Sequence, residues 1–160
     1  MSRDLEVKRI LLNNLRFTSK KLKKLEIFVE NLLFYNKKRN LISKNTESFV
    51  WNRHILDSAQ LIKFIDPIKC NSISDLGSGA GFPGLVLAIF FDNFNFHVKL
   101  YEKSPVKSTF LRNIANKLSL NCKIMCEDVN LAKIDSNYIT CRAFKKLPQI
   151  LNISRENCIK

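Results

Sequence analysis

The chain has 160 residues, of which 46% are hydrophobic and 26% charged, a balance typical of one folded globular domain. It contains no run of about 18 uncharged apolar residues, which excludes a transmembrane helix, and charged residues near the N-terminus argue against a secretory signal. Five cysteines without a C-x-x-C pair predict reduced thiols in a cytoplasmic protein, and neither a disulfide framework nor a zinc site.

The formal net charge of +13 favours a polyanionic partner such as a nucleic acid, because lysine and arginine neutralise phosphates. Residues 1–50 hold 12 Lys and Arg against 5 Asp and Glu, so the excess is concentrated there. A second explanation stays open. Lysine, asparagine, isoleucine and phenylalanine are abundant together and share A/T-rich codons, so genome composition could supply part of the charge.

The first third of the chain has the apolar spacing of helices. Residues 3–16 and 19–35 are predicted to form two helices, of which the second places its apolar side chains on one face and has Ser19 as its predicted N-cap. A polar connector leads to a third helix predicted over residues 46–65. The sequence therefore predicts an N-terminal helical segment over residues 1–66.

The remainder alternates short apolar strands with helices, which predicts an α/β fold with a parallel sheet and right-handed crossovers. Ser104 and Pro105 are the predicted N-cap and first residue of one helix. Residues 67–160 are predicted to form a domain that makes one compact unit with the helical segment. The predicted strands are 73–76, 98–101, 124–126 and 138–141, and the predicted helices are 85–91, 104–118 and 147–158.

A glycine-rich turn, Asp75 to Gly81, lies where the first strand passes into a helix. Glycine adopts positive φ without strain, and the missing Cβ lets a ligand approach the backbone. The N-terminus of the following helix favours an anionic group. The turn predicts a cofactor site, and the alternative is a turn with a purely structural role.

The cofactor class follows from the frame of the glycines. Residues 79–84 also match the dinucleotide pattern G-x-G-x-x-G, but that frame starts three residues after Leu76, and Pro83 lacks an N–H for a pyrophosphate. Asp75, two residues before Gly77, suits a cofactor that carries an amino group and no phosphate. We therefore predict S-adenosylmethionine and methyl transfer, with NAD as the alternative.

Glu102 ends the second predicted strand, 25 residues after Gly77. A carboxylate at this position can accept hydrogen bonds from both hydroxyls of a ribose. The alternative is a surface carboxylate that pairs with Lys103 or Lys107. Because the glycine turn and the carboxylate occur in the expected order, we favour the ribose contact.

Several blocks together resemble the RsmG (GidB) methyltransferases, which methylate N7 of a guanine in 16S ribosomal RNA. The resemblance implies a Rossmann-like methyltransferase sheet, S-adenosylmethionine as cofactor and the small ribosomal subunit or its RNA as partner. The blocks that carry it are Tyr35 to Lys37, Asn40 to Ser43, Arg53 to Ser58, Asp75 to Gly84, Lys107 with Phe110 to Arg112, and Arg142 to Phe144.

The resemblance also implies which residues bind the cofactor. The Asp128-Val129 pair departs from the family, which often has a small or apolar residue followed by glutamate there. Arg142 is expected near the methionine end of the cofactor or between cofactor and RNA, and the alternative is an ion pair with a carboxylate such as Asp135. The implied cofactor-binding residues are Gly77, Phe82, Glu102, Asp128, Val129 and Arg142.

The chemistry needs few reactive side chains. Guanine N7 offers a lone pair and carries no proton, so orientation and electrostatics suffice, and we assign no general base, catalytic residue or metal. Cys141 suggests a nucleophile for carbon-5 methylation, but a buried thiol is the favoured interpretation. Arg53 and Asp57 either pair along a helix or help to brace the cofactor turn.

Family members continue for several strands beyond Phe144, so we expect a C-terminally truncated sheet of about four parallel strands. The leading hypothesis is a cytoplasmic, monomeric methyltransferase for 16S ribosomal RNA, without metal or membrane. Two alternatives remain: a non-catalytic RNA-binding remnant, and a methyltransferase with another RNA or a protein as substrate.

Overall fold

A computed structural model describes residues 3–92 and 94–157. No helix in these two ranges is long and apolar enough to span a bilayer. The strands are β1 (Ser72–Leu76), β2 (His97–Tyr101), β3 (Cys122–Met125) and β4 (Tyr138–Cys141), and the longer helices are α1 (Arg3–Asn13), α2 (Ser19–Arg39), α5 (Gly84–Phe90), α6 (Pro105–Lys117) and α7 (Leu147–Asn157).

The four strands form one parallel sheet in the order β3-β2-β1-β4, which confirms the predicted α/β fold. β1 and β2 are central and mostly buried, whereas β3 and β4 are half-buried edge strands. Successive strands run outward from β1 to β3, and the chain then returns to the other side of β1. The crevice between β1 and β4, at their carboxyl ends, is thus where such sheets bind ligands.

The N-terminal helices pack on the helices that flank the sheet, and α2 contacts both α5 and α6. Leu25 and Phe28 of α2 belong to the same buried cluster as Leu85 of α5 and Leu100 of β2. The Phe28 ring lies 5.2 Å from the Phe82 ring, so α2 packs directly on the glycine-rich turn. The division into segments 1–66 and 67–160 stays a prediction, and the apolar core crosses it.

Two predicted caps have different outcomes. The N-cap of α2 is Thr18, whose Oγ1 accepts a hydrogen bond from the backbone N–H of Lys21 at 3.2 Å, so the prediction of Ser19 was wrong by one residue. Ser104 does cap α6, with Pro105 as its first residue, as predicted. Both caps satisfy an N–H that the first turn of a helix leaves free.

The single helix predicted over residues 46–65 was wrong. The α-helical pattern breaks because Trp51 to Leu56 form a wider π-helical turn, a feature that often occurs at functional sites. This turn carries Arg53 and His54, which contact Arg142 from the other end of the chain. The segment comprises α3 (Lys44–Glu47), the π-helical turn (Trp51–Leu56), α4 (Asp57–Ala59) and a 3-10 helix (Gln60–Phe64).

Other boundaries differ by a few residues. β3 begins at Cys122, two residues before the predicted start, and β4 matches the prediction. Helix α2 runs four residues further than predicted, to Arg39. Cys158, the predicted end of the last helix, lies outside the described residues.

Candidate functional site

A cavity of about 560 Å³ opens at the carboxyl ends of the strands. Its wall combines the turn after β1, the end of β2, the loops after β3 and β4, and a segment between α2 and the π-helical turn. All six residues predicted to bind the cofactor line it. The lining residues include Leu41, Ile42, His54, Gly77, Gly79, Phe82, Glu102, Lys103, Lys107, Glu127, Asp128, Val129, Arg142, Phe144 and Lys145.

The glycine-rich turn is fixed to the end of β2. The backbone N–H groups of Gly77 and Ser78 both donate to the carbonyl oxygen of Tyr101, at 2.9 and 3.0 Å. Gly77 has φ +70°, and a Cβ at this position would overlap the ring of Phe144. A side chain is therefore disfavoured twice at Gly77, by backbone conformation and by space.

Asp75 has a structural place that the sequence interpretation missed. Its carboxylate is fully buried and absent from the cavity wall. One oxygen accepts from the N–H of Gly84 at 3.0 Å and the other from the hydroxyl of Thr140 at 3.4 Å. Burial raises the pKa of Asp75 to about 6. Asp75 thus joins β1, β4 and α5 behind the turn, and does not present its carboxylate to a ligand.

Glu102 does present a carboxylate to the cavity, although only 8% of the residue is exposed. Its two oxygens accept from the backbone N–H groups of Gly79 and Ser104, at 2.9 and 2.8 Å. Among the described residues it forms no ion pair with Lys103 or Lys107, which was the alternative. The backbone therefore holds this anion rigidly at the wall.

The loop after β3 contributes a mixed pair. Val129 is 3% exposed and packs in a small cluster with Leu76 and Tyr101. Asp128 accepts from the backbone N–H of Asn130 at 3.0 Å, and this hydrogen bond is the largest cause that lowers the pKa of Asp128. The pair thus offers the cavity an apolar wall beside a carboxylate that Asn130 of its own loop holds and that the charges of Lys103 and Lys145 also favour.

Arg142 follows β4 and lies against the π-helical turn. Its Nη1 donates to the carbonyl oxygen of Arg53 at 3.0 Å and to the carboxylate of Asp57 at 3.3 Å, and its Nη2 bonds His54 Nδ1 at 2.6 Å. The guanidinium also lies 5.5 Å from the ring centre of Phe82. Its ion pair is with Asp57, and the alternative partner Asp135 is not used.

His54 belongs to the Arg53 to Ser58 block that carried the family resemblance, but no role was predicted for it. Its ring stacks on Phe82 with centres 4.9 Å apart and accepts the hydrogen bond of Arg142 through Nδ1, so Nε2 carries the proton. Burial, followed by the charge of Arg142, lowers the pKa of His54 to about 4. The block from Arg53 to Ser58 thus braces Phe82 and Arg142, and Asp57 does not pair with Arg53.

Several lining residues were absent from the sequence prediction. Leu41, Ile42, Lys107 and Phe144 belong to blocks that carried the family resemblance, so a signal existed although no role was assigned. Lys103 follows the predicted Glu102 directly, and Lys145 lies three residues after the predicted Arg142. That these two lysines line the cavity could not be predicted from the sequence, because it depends on which loops come together in the fold.

The structure offers little to metal or thiol chemistry. Within residues 3–92 and 94–157, no group of three or more His, Cys, Asp or Glu side chains is placed to hold a metal ion. Cys141 is half-buried and absent from the cavity wall, and burial raises the pKa of its thiol. These features do not favour a thiolate nucleophile.

Solved structures share the fold at low identity. TehB from Haemophilus influenzae matches with a TM-score of 0.51 and 21% identity, over 81% of this chain and 42% of TehB. A SAM-dependent methyltransferase from Thiobacillus denitrificans, in complex with S-adenosyl-L-homocysteine, matches with a TM-score of 0.51 and 12% identity, over 82% of this chain and 51% of that protein. The sheet and its flanking helices therefore have the fold of these methyltransferases.

Sequence comparison is more specific. The family profile described as GidB, rRNA small subunit methyltransferase G, matches residues 21–159. Proteins named ribosomal RNA small subunit methyltransferase G are similar: that of Pelagibacter ubique is 42% identical over 92% of this chain and 71% of its own length. That of Rickettsia felis is 41% identical over 87% of this chain and 68% of its own length. The chain belongs to the GidB family of rRNA small subunit methyltransferase G.

Proposed function

We propose that the chain transfers a methyl group from S-adenosylmethionine to N7 of a guanine in 16S ribosomal RNA. The observation that carries the proposal is the buried carboxylate of Glu102, held by two backbone N–H groups at the wall of the large cavity. Family membership and the homologues' printed name support an RNA of the small subunit as substrate.

The residues of the cavity fit the cofactor. Its volume of about 560 Å³ lies in the range of small-molecule sites. Each carboxylate oxygen of Glu102 accepts one backbone hydrogen bond and retains further lone pairs for ribose hydroxyls. Phe82 and Val129 supply apolar wall beside an adenine, and a Cβ on Gly79 would meet only the carbonyl oxygen of Gly77, at 3.9 Å, so the backbone is accessible.

Arg142 is proposed to orient the reacting groups. Three of its five N–H donors are used by Arg53, Asp57 and His54, so two remain for the cofactor carboxylate or an RNA phosphate. His54 stays neutral at physiological pH because its pKa is lowered to about 4, and its Nδ1 therefore remains an acceptor for the guanidinium. A protonated imidazole would place an N–H against another N–H.

Bound S-adenosylmethionine would supply an electrophilic methyl group to the lone pair of guanine N7, which bears no proton, and breaking of the bond between sulfur and methyl would leave S-adenosylhomocysteine. No side chain has to remove a proton. The chain's contribution is then to exclude water, fix both reactants and hold charge at the cavity mouth. The proposal includes action in the cytoplasm, as a monomer and without a metal.

The test is transfer of labelled methyl from S-adenosylmethionine to small-subunit RNA, with S-adenosylhomocysteine titrated separately. We expect labelled RNA and cofactor binding together. Cofactor binding without transfer, while RNA still binds in a salt-dependent manner, would instead support a non-catalytic RNA-binding protein. Label found in protein or in another RNA would show that the substrate is that protein or RNA and not the RNA of the small subunit.

A further inference from the structure

A second cavity, of about 290 Å³, lies beside the first and has no role in the proposed cofactor site. It is formed between the C-terminal end of α2 and the N-terminal half of α6. Leu41 lines both cavities, so the two adjoin. The complete lining is Tyr35, Arg39, Leu41, Pro105, Val106, Thr109, Phe110 and Asn113.

The wall of this second cavity joins an aromatic ring to polar groups. Tyr35 is half-buried, and its ring packs edge-on against Phe110 at 5.6 Å, which fixes its orientation. Phe110 is itself buried. Arg39 and Asn113 bring a guanidinium and an amide to the same wall. An aromatic ring with nearby hydrogen-bonding groups suits a planar heteroaromatic ring such as a nucleobase.

The two chain segments that supply the wall of the second cavity carry charge of one sign. Residues 35–44 and 103–117, which supply its wall, contain eight Lys and Arg and no Asp or Glu. Within these ranges, Lys103 and Lys107 line the first cavity and Arg39 lines the second. A nucleic-acid backbone that passes from one cavity to the other would therefore meet only cations from these two segments.

We propose that the second cavity binds an unstacked base of the RNA strand next to the methylated guanine. This inference rests on the proposed function, because it takes the first cavity as the site of methyl transfer. Tyr35 provides the stacking ring, and Arg39 provides a charge for a neighbouring phosphate. Single-stranded RNA is recognised in this way, by bases splayed onto aromatic side chains.

The experiment measures binding of the full chain to small-subunit RNA, together with its affinity for S-adenosylhomocysteine. Tyr35→Ala is expected to weaken RNA binding about tenfold, as loss of one base–aromatic stack does. Tyr35→Phe keeps the ring and is expected to retain the affinity. Phe64→Ala is the matched control, because Phe64 is 76% exposed and lies outside both cavities.

Two further variants separate stacking from folding and from charge. Val106→Trp fills the second cavity from a position that is 45% exposed, so it blocks the base without removing a buried contact. Arg39→Ala is expected to reduce the slope of log affinity against log salt by about one. Lys20→Ala, at the opposite end of α2, is the control for loss of an exposed cation.

Weaker RNA binding by Tyr35→Ala and Val106→Trp, with unchanged cofactor affinity and unchanged binding by Phe64→Ala, supports the inference. Wild-type affinity for RNA in both variants overturns it and leaves the proposed function standing. A wild-type chain that binds no small-subunit RNA overturns both. The outcome that favours an acidic protein partner is binding of polyglutamate that displaces RNA completely and that Tyr35→Ala and Val106→Trp weaken as much as they weaken RNA binding. This outcome overturns the inference.

Discussion

The two sides of the large cavity are built differently. On the β1–β2 side, defined by Gly77 and Glu102, backbone N–H groups hold the carboxylate of Glu102 at the wall, and the N–H of Gly84 holds the buried carboxylate of Asp75 behind it. On the β3–β4 side, Asp128 is held by its own loop, and Arg142 is held by Asp57 and the distant π-helical turn. The first side is fixed by the sheet itself, and the second depends on which loops and helices meet it.

This difference between the two sides indicates which part of the proposed site is preorganised. The central strands present Glu102 with little freedom, which suits a group that must meet a rigid ribose. Arg142 is instead held by the π-helical turn, so its position depends on the N-terminal helices. We therefore expect changes on the β1–β2 side to affect cofactor binding most, and changes at Arg142 to affect transfer as well.

The sharpest contrast is in the pH dependence of stability. Asp75 has a folded pKa of about 6 against 3.8, so its contribution is present at low pH and lost as pH rises to 6. His54 has a folded pKa of about 4 against 6.5, so its contribution is lost as pH falls from 6.5 to 4. Each amounts to about 3 kcal/mol, with opposite sign.

Relative to wild type, Asp75→Asn should therefore gain stability as pH rises from 4 to 6, and His54→Asn should lose stability as pH rises from 4 to 6.5. Asparagine keeps an acceptor for Gly84 in the first case and for Arg142 in the second. Urea unfolding across this range measures both differences. Parallel curves for the two variants and wild type would show that these groups do not titrate as described.

Glu102→Ala should weaken binding of S-adenosylhomocysteine about 100-fold, because two charge-assisted hydrogen bonds to ribose are lost. Calorimetric titration measures the change. Glu127→Ala is the matched control, since Glu127 lines the same cavity but is exposed, and a change below about threefold is expected. Equal affinities for Glu102→Ala and wild type would remove the ribose assignment.

Arg142→Lys should reduce kcat/KM for RNA about tenfold while leaving cofactor affinity within about threefold, because a lysine cannot reproduce the guanidinium's several directed bonds. Steady-state methyl transfer measures the first quantity and titration the second. Arg155→Lys serves as the control, because Arg155 lies on α7 away from the cavity. A tenfold loss in that control would point to a general effect of the substitution.

Asp57→Asn should have the smallest effect, about twofold on kcat/KM. Its ion pair with Arg142 is 3.3 Å long and the Asp57 side chain is 58% exposed, so solvent screens the attraction. The carbonyl of Arg53 and the imidazole of His54 continue to hold the guanidinium. A loss as large as that of Arg142→Lys would show that charge, not the network of acceptors, positions Arg142.

Much of this arrangement could be predicted from the sequence. The glycine turn, Glu102 and the Ser104-Pro105 helix start are local signals, and local chemistry determined them. The burial of Asp75 could not be read from its neighbours, because it depends on Thr140, 65 residues away. The π-helical turn was missed for a similar reason. Its sequence has the pattern of an ordinary helix, and the residue that contacts its backbone, Arg142, is distant in the sequence.

The most direct test of the central claim is nucleoside analysis of small-subunit RNA after reaction with labelled S-adenosylmethionine. We expect label in 7-methylguanosine, and no label when guanine is replaced by 7-deazaguanine, which has no N7 lone pair. Label on a cytosine carbon, on an exocyclic amine or in the 7-deaza RNA would contradict the proposed transfer to N7.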